Sequence, residues 1–303
     1  MTPLDVRPAI FDALREGRPV VALESTLISH GLPWPMNLET ARAAEAAVRA
    51  TGAMPATIAV LAGQPTVGLD ERELESLARG GEIRKASRRD LGAAVAQKAT
   101  AATTVSATML LAELAGIRVF ATGGIGGVHR GKGFDVSADL VELGRTPVCV
   151  VCSGAKSILD IESTLEVLET NGVPVVGYQT DWFPSFYTPS SGHPVSARVN
   201  SPEDAARLLE AHWSLSRTGV VLARPIDGAD ALSSEDLDWV IGLGEREASR
   251  QDIYGAALTP FLLAYLAKAT GGQTLKANKS LIVANAALAG GVAVALSRGG
   301  GRS

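Results

Sequence analysis

Short apolar runs alternate along this chain with stretches whose apolar positions return every three or four residues, the pattern of strands separated by helices in a sheet covered on both faces. Pro19 to Leu23 is a strand-like run that ends at Glu24, and Asn37 is placed to cap an Ala-rich helix that Gly52 ends. Ala56 to Leu61 and Thr66 to Leu69 flank Gly63-Gln64-Pro65 and predict a hairpin. Leu74 to Ala78 predicts a short helix, Leu91 to Leu114 one or two helices with a break near Thr103 and Thr104, and Val119 to Ala121 a strand. Ile158, Ile161, Leu165 and Leu168 space a helix over Ile158 to Glu169, ended by Asn171-Gly172. Val173 to Tyr178 is the next strand, expected to form a β-α-β unit with Val148 to Val151. Trp182 to Pro194, dense in proline, serine and aromatic residues, reads as a long loop of the kind that serves as a lid or an interface arm. Val220 to Ala223 is a further strand and Glu235 to Ala248 a helix. There is no internal repeat and no linker, and Gly299 to Ser303 reads as a disordered tail, so one domain is expected over 1–303.

Composition narrows the partners. With 303 residues, 46% apolar and 20% charged, the chain has ample material for a buried interior. A net charge of -4, from 28 basic against 32 acidic residues, gives no footprint for nucleic acid or anionic membrane and favours a small-molecule substrate. Asp5, Arg7, Asp12, Arg15 and Glu16 punctuate the N-terminus and argue against a signal peptide, while Ile10, Phe11 and Leu14 suit a surface helix. Leu281 to Leu296 is almost wholly apolar but shorter than the about 20 residues that span a bilayer, and Asn285, Gly290 and Gly291 interrupt it, so it is expected as a buried helix, not a membrane segment. Cys149 and Cys152 lie three apart in a strand-like run and should face opposite ways, as buried small hydrophobes in a reducing cytoplasm.

The candidate chemistry concentrates between Val119 and Asp160, where VFATGGIGGVHRGKGFDVSAD and PVCVVCSGAKSILD place His129, Lys132, Asp135, Asp139 and Lys156 beside flexible backbone. Lys156 follows a strand through Ser153-Gly154-Ala155 and is expected to open the next helix, where dipole and burial disfavour its ammonium form and would let it attack a carbonyl-like carbon to form an imine; the alternative is a solvated lysine. Glu24, at a strand C-terminus, is suited to proton donation from a ligand crevice, or equally to capping a helix or pairing with an arginine; His30 is its neighbour or a loop residue. The TGGIGGVHRG loop does not match G-x-G-x-x-G, leaving a backbone nest or a tight turn. Asp135 and Asp139, four apart with Ser137 between, would share a helix face and suit a hard cation, or be solvated. Arg84 to Asp90 is the densest basic cluster, read as phosphate recognition by Lys85 and its neighbours or as a helix lead-in capped by Asp90. Thr103, Thr104, Val105 and Asn278 could add polar contacts.

Taken together, ALESTLISHGLPWP, PATIAVL, KASRRDL, ATTVSATMLLA, VFATGGIGGVHRG, DVSADL, VVCSGAKSILD, GVPVVGYQT and TPFLLAYLA resemble the pseudouridine-5'-phosphate glycosidase family, also called pseudouridylate synthase or the indigoidine-synthase A-like family, from about Arg18 to about Leu288. The resemblance implies an α/β fold, a three-layer α/β/α sandwich with a mixed, mostly parallel central sheet, assembled as a homotrimer. It implies reversible cleavage of pseudouridine 5'-phosphate to uracil and ribose 5-phosphate. Lys156 falls on the family's catalytic lysine, Glu24 on its proton donor and Asp135 on its metal ligand, usually for Mn²⁺. Lys85, Val105 and the run Ser137, Ala138 and Asp139 match substrate-binding positions, and Thr104, His129 and Asn278 match polar groups around the pocket. The alternatives are an imine-forming aldolase on another phosphosugar and a non-catalytic phosphosugar-binding regulator.

Overall fold

The computed structural model describes residues 4–131 and 135–299. The expectations for Lys132 and for the tail beyond Gly299 fall outside these residues.

β1 (Asp5–Val6) leads into α1 (Pro8–Arg15), which buries Ile10 and leaves Phe11 exposed. β2 (Val20–Leu23) is followed by a π-helical turn at Leu27–Gly31 and by α2 (Met36–Ala50). Asn37 does not cap α2. It lies buried in the first turn, where its amide donates to the carbonyls of Ile28 (2.7 Å) and Ala78 (2.8 Å), a better use of a desolvated amide than an exposed cap. β3 (Met54–Leu61) and β4 (Gln64–Val67) form the expected antiparallel hairpin about Ala62 and Gly63, both at positive φ. α3 (Glu71–Arg79) opens on a reciprocal cap between Asp70 and Glu73.

β5 (Arg84–Ala86), α4 (Leu91–Ala96), β6 (Ala101–Thr103) and α5 (Val105–Ala115) follow. β6 fills the break where only a helix interruption was expected. Its Ala-Ala-Thr has weak strand preference, and pairing with β3 and β5 makes the strand. Next come β7 (Val119–Ala121), β8 (Val128–His129), α6 (Ala138–Leu143), β9 (Cys149–Cys152), β10 (Leu159–Asp160) and α7 (Ile161–Thr170). α7 starts later than the apolar spacing suggested because Leu159 and Asp160 pair with His129 and Val128, and Asp160 then caps the helix by accepting from Ser163 N (2.9 Å). The chain ends through β11 (Val175–Tyr178), β12 (Ala197–Val199), α8 (Pro202–Leu215), β13 (Val220–Ala223), α9 (Ser234–Arg250), α10 (Leu258–Ala269) and α11 (Gln273–Gly299).

The main sheet runs β1-β4-β3-β2-β7-β9-β13-β11-β12, with β6 attached to β3 and β5 to β6. The path from β3 through β2, β7, β9, β13 and β11 to β12 is parallel, and β4 and β6 run antiparallel to β3. The sheet is therefore mixed and mostly parallel, as expected. β9 and β11 are not neighbours, because β13 returns between them and splits the expected β-α-β unit. α11 lies on β2, β7 and β9 together with α2 and α8, and α5 lies on β2, β3, β4 and β6 together with α6, giving the helical layers of an α/β sandwich. β2, β9 and β13 are buried at every position, as strands covered on both faces must be.

α11 is longer than the expected Leu281 to Leu296 segment. Its 27 residues are long and apolar enough to cross a membrane by length and composition, yet it packs on the sheet and buries Leu281, Ile282, Asn285, Ala286, Ala289 and Val292. Cys149 and Cys152 are free and buried, and burial pushes both thiols up, Cys152 to about 12. The Trp182 to Pro194 loop is packed down: Phe183, Phe186 and Tyr187 are buried, and Phe186 N donates to Ser153 O (2.8 Å).

Candidate active site

Because β2, β7 and β9 are parallel and in register, the residues that leave their C-terminal ends (Glu24, Thr122 and Ser153) emerge along one edge, where ligands bind in open α/β sheets. A cavity of about 400 Å³ opens there. Glu24, Lys85, Thr104, Val105, His129, Asp135, Ser137, Ala138, Asp139, Lys156 and Asn278 all line it.

Glu24 accepts a short hydrogen bond from Thr122 Oγ1. Burial raises its pKa above the ordinary glutamate value, against the opposing pull of the Lys156 charge and the Thr122 hydrogen bond. Lys156 does not open a helix, since α7 begins at Ile161, and the expected dipole effect is absent. Its place is set by backbone instead. Gly154 turns at φ +79°, Lys156 N donates to Ile125 O (3.2 Å), and Lys156 Nζ donates to Gly124 O (3.1 Å).

The basic cluster divides. Lys85 and Arg89 face the cavity; the cavity leaves Lys85 open to solvent, but surrounding protein and then Lys156 lower its pKa, with Asp139 and Glu24 opposing. Arg88 points away to the fully buried Glu142 (2.6 Å), and Arg84 bonds to Gln97 (2.5 Å). Asp90 does not cap α4 by its side chain; its carboxylate accepts from Ser87 N and Oγ (both 2.9 Å). Thr103 is turned into the core, donating to Ile58 O (2.7 Å), whereas Thr104 and Val105 at the start of α5 face the cavity.

Asp135 and Asp139 do not share a helix face, because α6 starts only at Ala138. Asp139 is buried, and its carboxylate accepts from Gly126 N (2.9 Å) and Ser106 N (3.0 Å), fastening the glycine loop to α5. That close approach explains the glycine: a Cβ at Gly126 would lie 2.3 Å from Ser137 Oγ. Asp135 is exposed, and among the described residues its carboxylate makes no hydrogen bond or ion pair. His129 N donates to Asp135 O (3.0 Å), and burial lowers the imidazole's pKa while the Asp135 charge opposes this. Among the described residues no three His, Cys, Asp or Glu side chains gather into a metal cluster. Asn278 on α11 is buried, and among the described residues its Oδ1 has no partner, an acceptor left for whatever fills the cavity. His30 is exposed on the cavity wall, its ring bonded to Ile83 O (3.2 Å).

Three contributors escaped the sequence reading. Thr122 binds Glu24, and Phe186 closes one wall against Gly123 and Gly124. Asn285, read only as an interruption of an apolar helix, is fully buried and donates to Thr122 O (2.9 Å) and Ser153 Oγ (3.1 Å), joining the ends of β7 and β9. A lone amide in an otherwise apolar helix was its signal.

The sequence profile of the family described as indigoidine synthase A like protein matches residues 9–295. The chain belongs to the indigoidine synthase A-like family. Within it, the chain is 51% identical over 298 residues to the pseudouridine-5'-phosphate glycosidase of Caldanaerobacter subterraneus subsp. tengcongensis, covering 97% of each chain. It is 53% identical to that of Chloroflexus aurantiacus, covering 97% of this chain and 99% of the relative. Among solved structures it is similar to the prealnumycin C-glycosynthase AlnA, solved in complex with ribulose 5-phosphate, with TM-score 0.92 at 42% identity over 100% of each chain. It is also similar to an indigoidine synthase A-like protein of Thermotoga maritima, with TM-score 0.90 at 37% identity over 97% of each chain.

Proposed function

We propose that this enzyme is a pseudouridine-5'-phosphate glycosidase, reversibly cleaving the C–C bond between uracil and ribose 5-phosphate through an imine on Lys156. The observation that carries the reading is the meeting of Glu24, a carboxyl inclined to keep its proton, with the Lys156 amine in a cavity that also holds Lys85 and the unpartnered Asn278. Uracil bound through carbon offers no basic leaving nitrogen at the sugar, so protonating the base alone cannot expel it. Glu24 instead gives its proton to the ribose ring oxygen as the C1'–O4' bond opens, and conjugation with uracil makes C1' electrophilic. Lys156 Nζ adds to C1'. Protonation at uracil C5 then breaks the C1'–C5 bond, uracil leaves, and C1' remains joined to Nζ as an imine that one water hydrolyses to ribose 5-phosphate and the free amine. In this reading Lys85, Thr104, Val105, His129, Ser137, Ala138, Asp139 and Asn278 hold the substrate.

The donors suit a loosely held hard cation, because the exposed Asp135 carboxylate makes no hydrogen bond or ion pair among the described residues and such ions keep several waters beside one or two carboxylates. Mn²⁺, which the resemblance implies, would be held at Asp135 and would supply charge that orders water and substrate. A homotrimer in the cytoplasm completes the reading, with Trp182, Trp239 and Tyr254 as exposed apolar side chains available for burial between subunits. Incubation with pseudouridine 5'-phosphate tests the function. Equal amounts of uracil and ribose 5-phosphate are expected; an aldolase acting on another phosphosugar, or a binding regulator, would release no uracil.

A further inference from the structure

Arg130 has no part in the chemistry above, yet its side chain is committed to the backbone that carries Lys156. It leaves the end of β8 and donates from Nη2 to Ser157 O (3.0 Å) and from Nε to Leu159 O (3.2 Å), the residues one and three positions beyond Lys156. Nη2 also reaches Asp238 Oδ1 on α9 (3.3 Å), and Glu245 on the same helix lies within its electrostatic reach. Other bonds hold this short segment from other directions: Lys156 N donates to Ile125 O (3.2 Å), Leu159 N to Lys156 O (2.9 Å), and Ser157 Oγ to Ser185 O (2.5 Å).

Behind the segment lies a second cavity of about 380 Å³, to which Arg130, Ser157, Leu159 and Asp238 all contribute. Leu159 lines both cavities, so the strip from Lys156 to Leu159 runs between the substrate cavity, which Lys156 lines, and the second cavity, which Arg130 lines. Ser157, Ile158 and Leu159 are buried, but apolar packing is non-directional and does not by itself fix where the backbone carbonyls point. Two carbonyls gripped by one planar guanidinium supply a constraint that a flexible, single-point lysine would not reproduce.

We propose that Arg130 is a positioning residue for Lys156, fixing the Lys156 to Leu159 turn from the second cavity so that Nζ meets the sugar carbon. The proposal rests on the imine reading. Misplacing a reacting group by about 1 Å costs on the order of 100-fold in rate, and Arg130 does not line the substrate cavity, so its loss should fall on kcat and leave KM nearly unchanged.

The experiment is borohydride trapping of ribose 5-phosphate, together with steady-state kinetics on pseudouridine 5'-phosphate, in wild type, Arg130→Ala and Arg130→Lys. An absent wild-type adduct at Lys156 overturns the imine reading and this proposal with it. Given that adduct, Arg130→Ala is expected to trap and turn over roughly 30- to 100-fold more slowly at similar KM. Millimolar guanidinium, entering the space left on the cavity side, should restore several-fold of that loss where sodium chloride does not. Arg130→Lys, which keeps the charge beside Asp238 but not the fork, should remain impaired, and it serves alone if Arg130→Ala does not fold. An unchanged kcat in either folded variant, or a loss carried wholly by KM, overturns the proposal.

Discussion

At Glu24 the chain half-buries a carboxyl against the cavity wall, and desolvation outweighs the opposing Lys156 charge, so the proton is held above the ordinary value of 4.5. The unfolded chain releases that proton at the ordinary value. Stability from this group is therefore full below pH 4.5 and is lost as pH rises through the raised folded value. Glu24→Gln should accordingly have a higher Tm than wild type at neutral pH, with the difference vanishing as pH falls toward 4.5, which thermal melts across pH will read. The same variant should lower kcat by about 100- to 10,000-fold, the usual worth of a positioned proton donor, and remove the limb of the pH profile on which activity falls with rising pH. In the sequence, Glu24 was visible as an acid at a strand end, but an arginine partner was an equal reading. Only the fold, which sets Thr122 and Lys156 beside it, separates the two. The small-residue turn before Lys156 resembles a helix start in sequence, whereas Gly154 and the carbonyls of Ile125 and Gly124 are what hold the lysine.

The strands were legible because their apolar runs are buried on both faces; their neighbours were not, since the order in which parallel strands insert leaves no mark on periodicity. β13 between β9 and β11 is the example. β6 and β10 were missed because two or three residues of modest strand preference are made into strands by their partners. The packed Trp182 to Pro194 loop is held by similarly non-local contact: a Cβ at Gly154, already at φ +79°, would lie 1.9 Å from Pro184 O. Gly154→Ala should therefore lower stability by about 3 kcal/mol or more, seen as a large drop in denaturation midpoint, because both the backbone conformation and the loop must give way. On α11, Asn285→Leu should cost roughly 2–3 kcal/mol by leaving Thr122 O and Ser153 Oγ without their donor in a buried place. A stability equal to wild type would show that the bridge between β7 and β9 is dispensable.

For the whole molecule, one sheet takes strands from residue 5 to residue 223, and α11 from the C-terminal end crosses its centre on β2, β7 and β9. Urea should unfold it in a single transition with fluorescence and circular dichroism coincident; two separated transitions would contradict the single-domain reading. Chelation followed by Mn²⁺ addition should abolish and restore uracil release, with Asp135→Asn insensitive to the added metal. The proposed reaction turns on a covalent bond at one residue. The most direct test is mass mapping of the enzyme after treatment with ribose 5-phosphate and borohydride: reduction of the imine predicts one stable sugar-phosphate adduct on the peptide carrying Lys156 and none in Lys156→Ala. An unmodified Lys156 in a fully active preparation, or a Lys156→Ala enzyme that still cleaves pseudouridine 5'-phosphate at the normal rate, would contradict it.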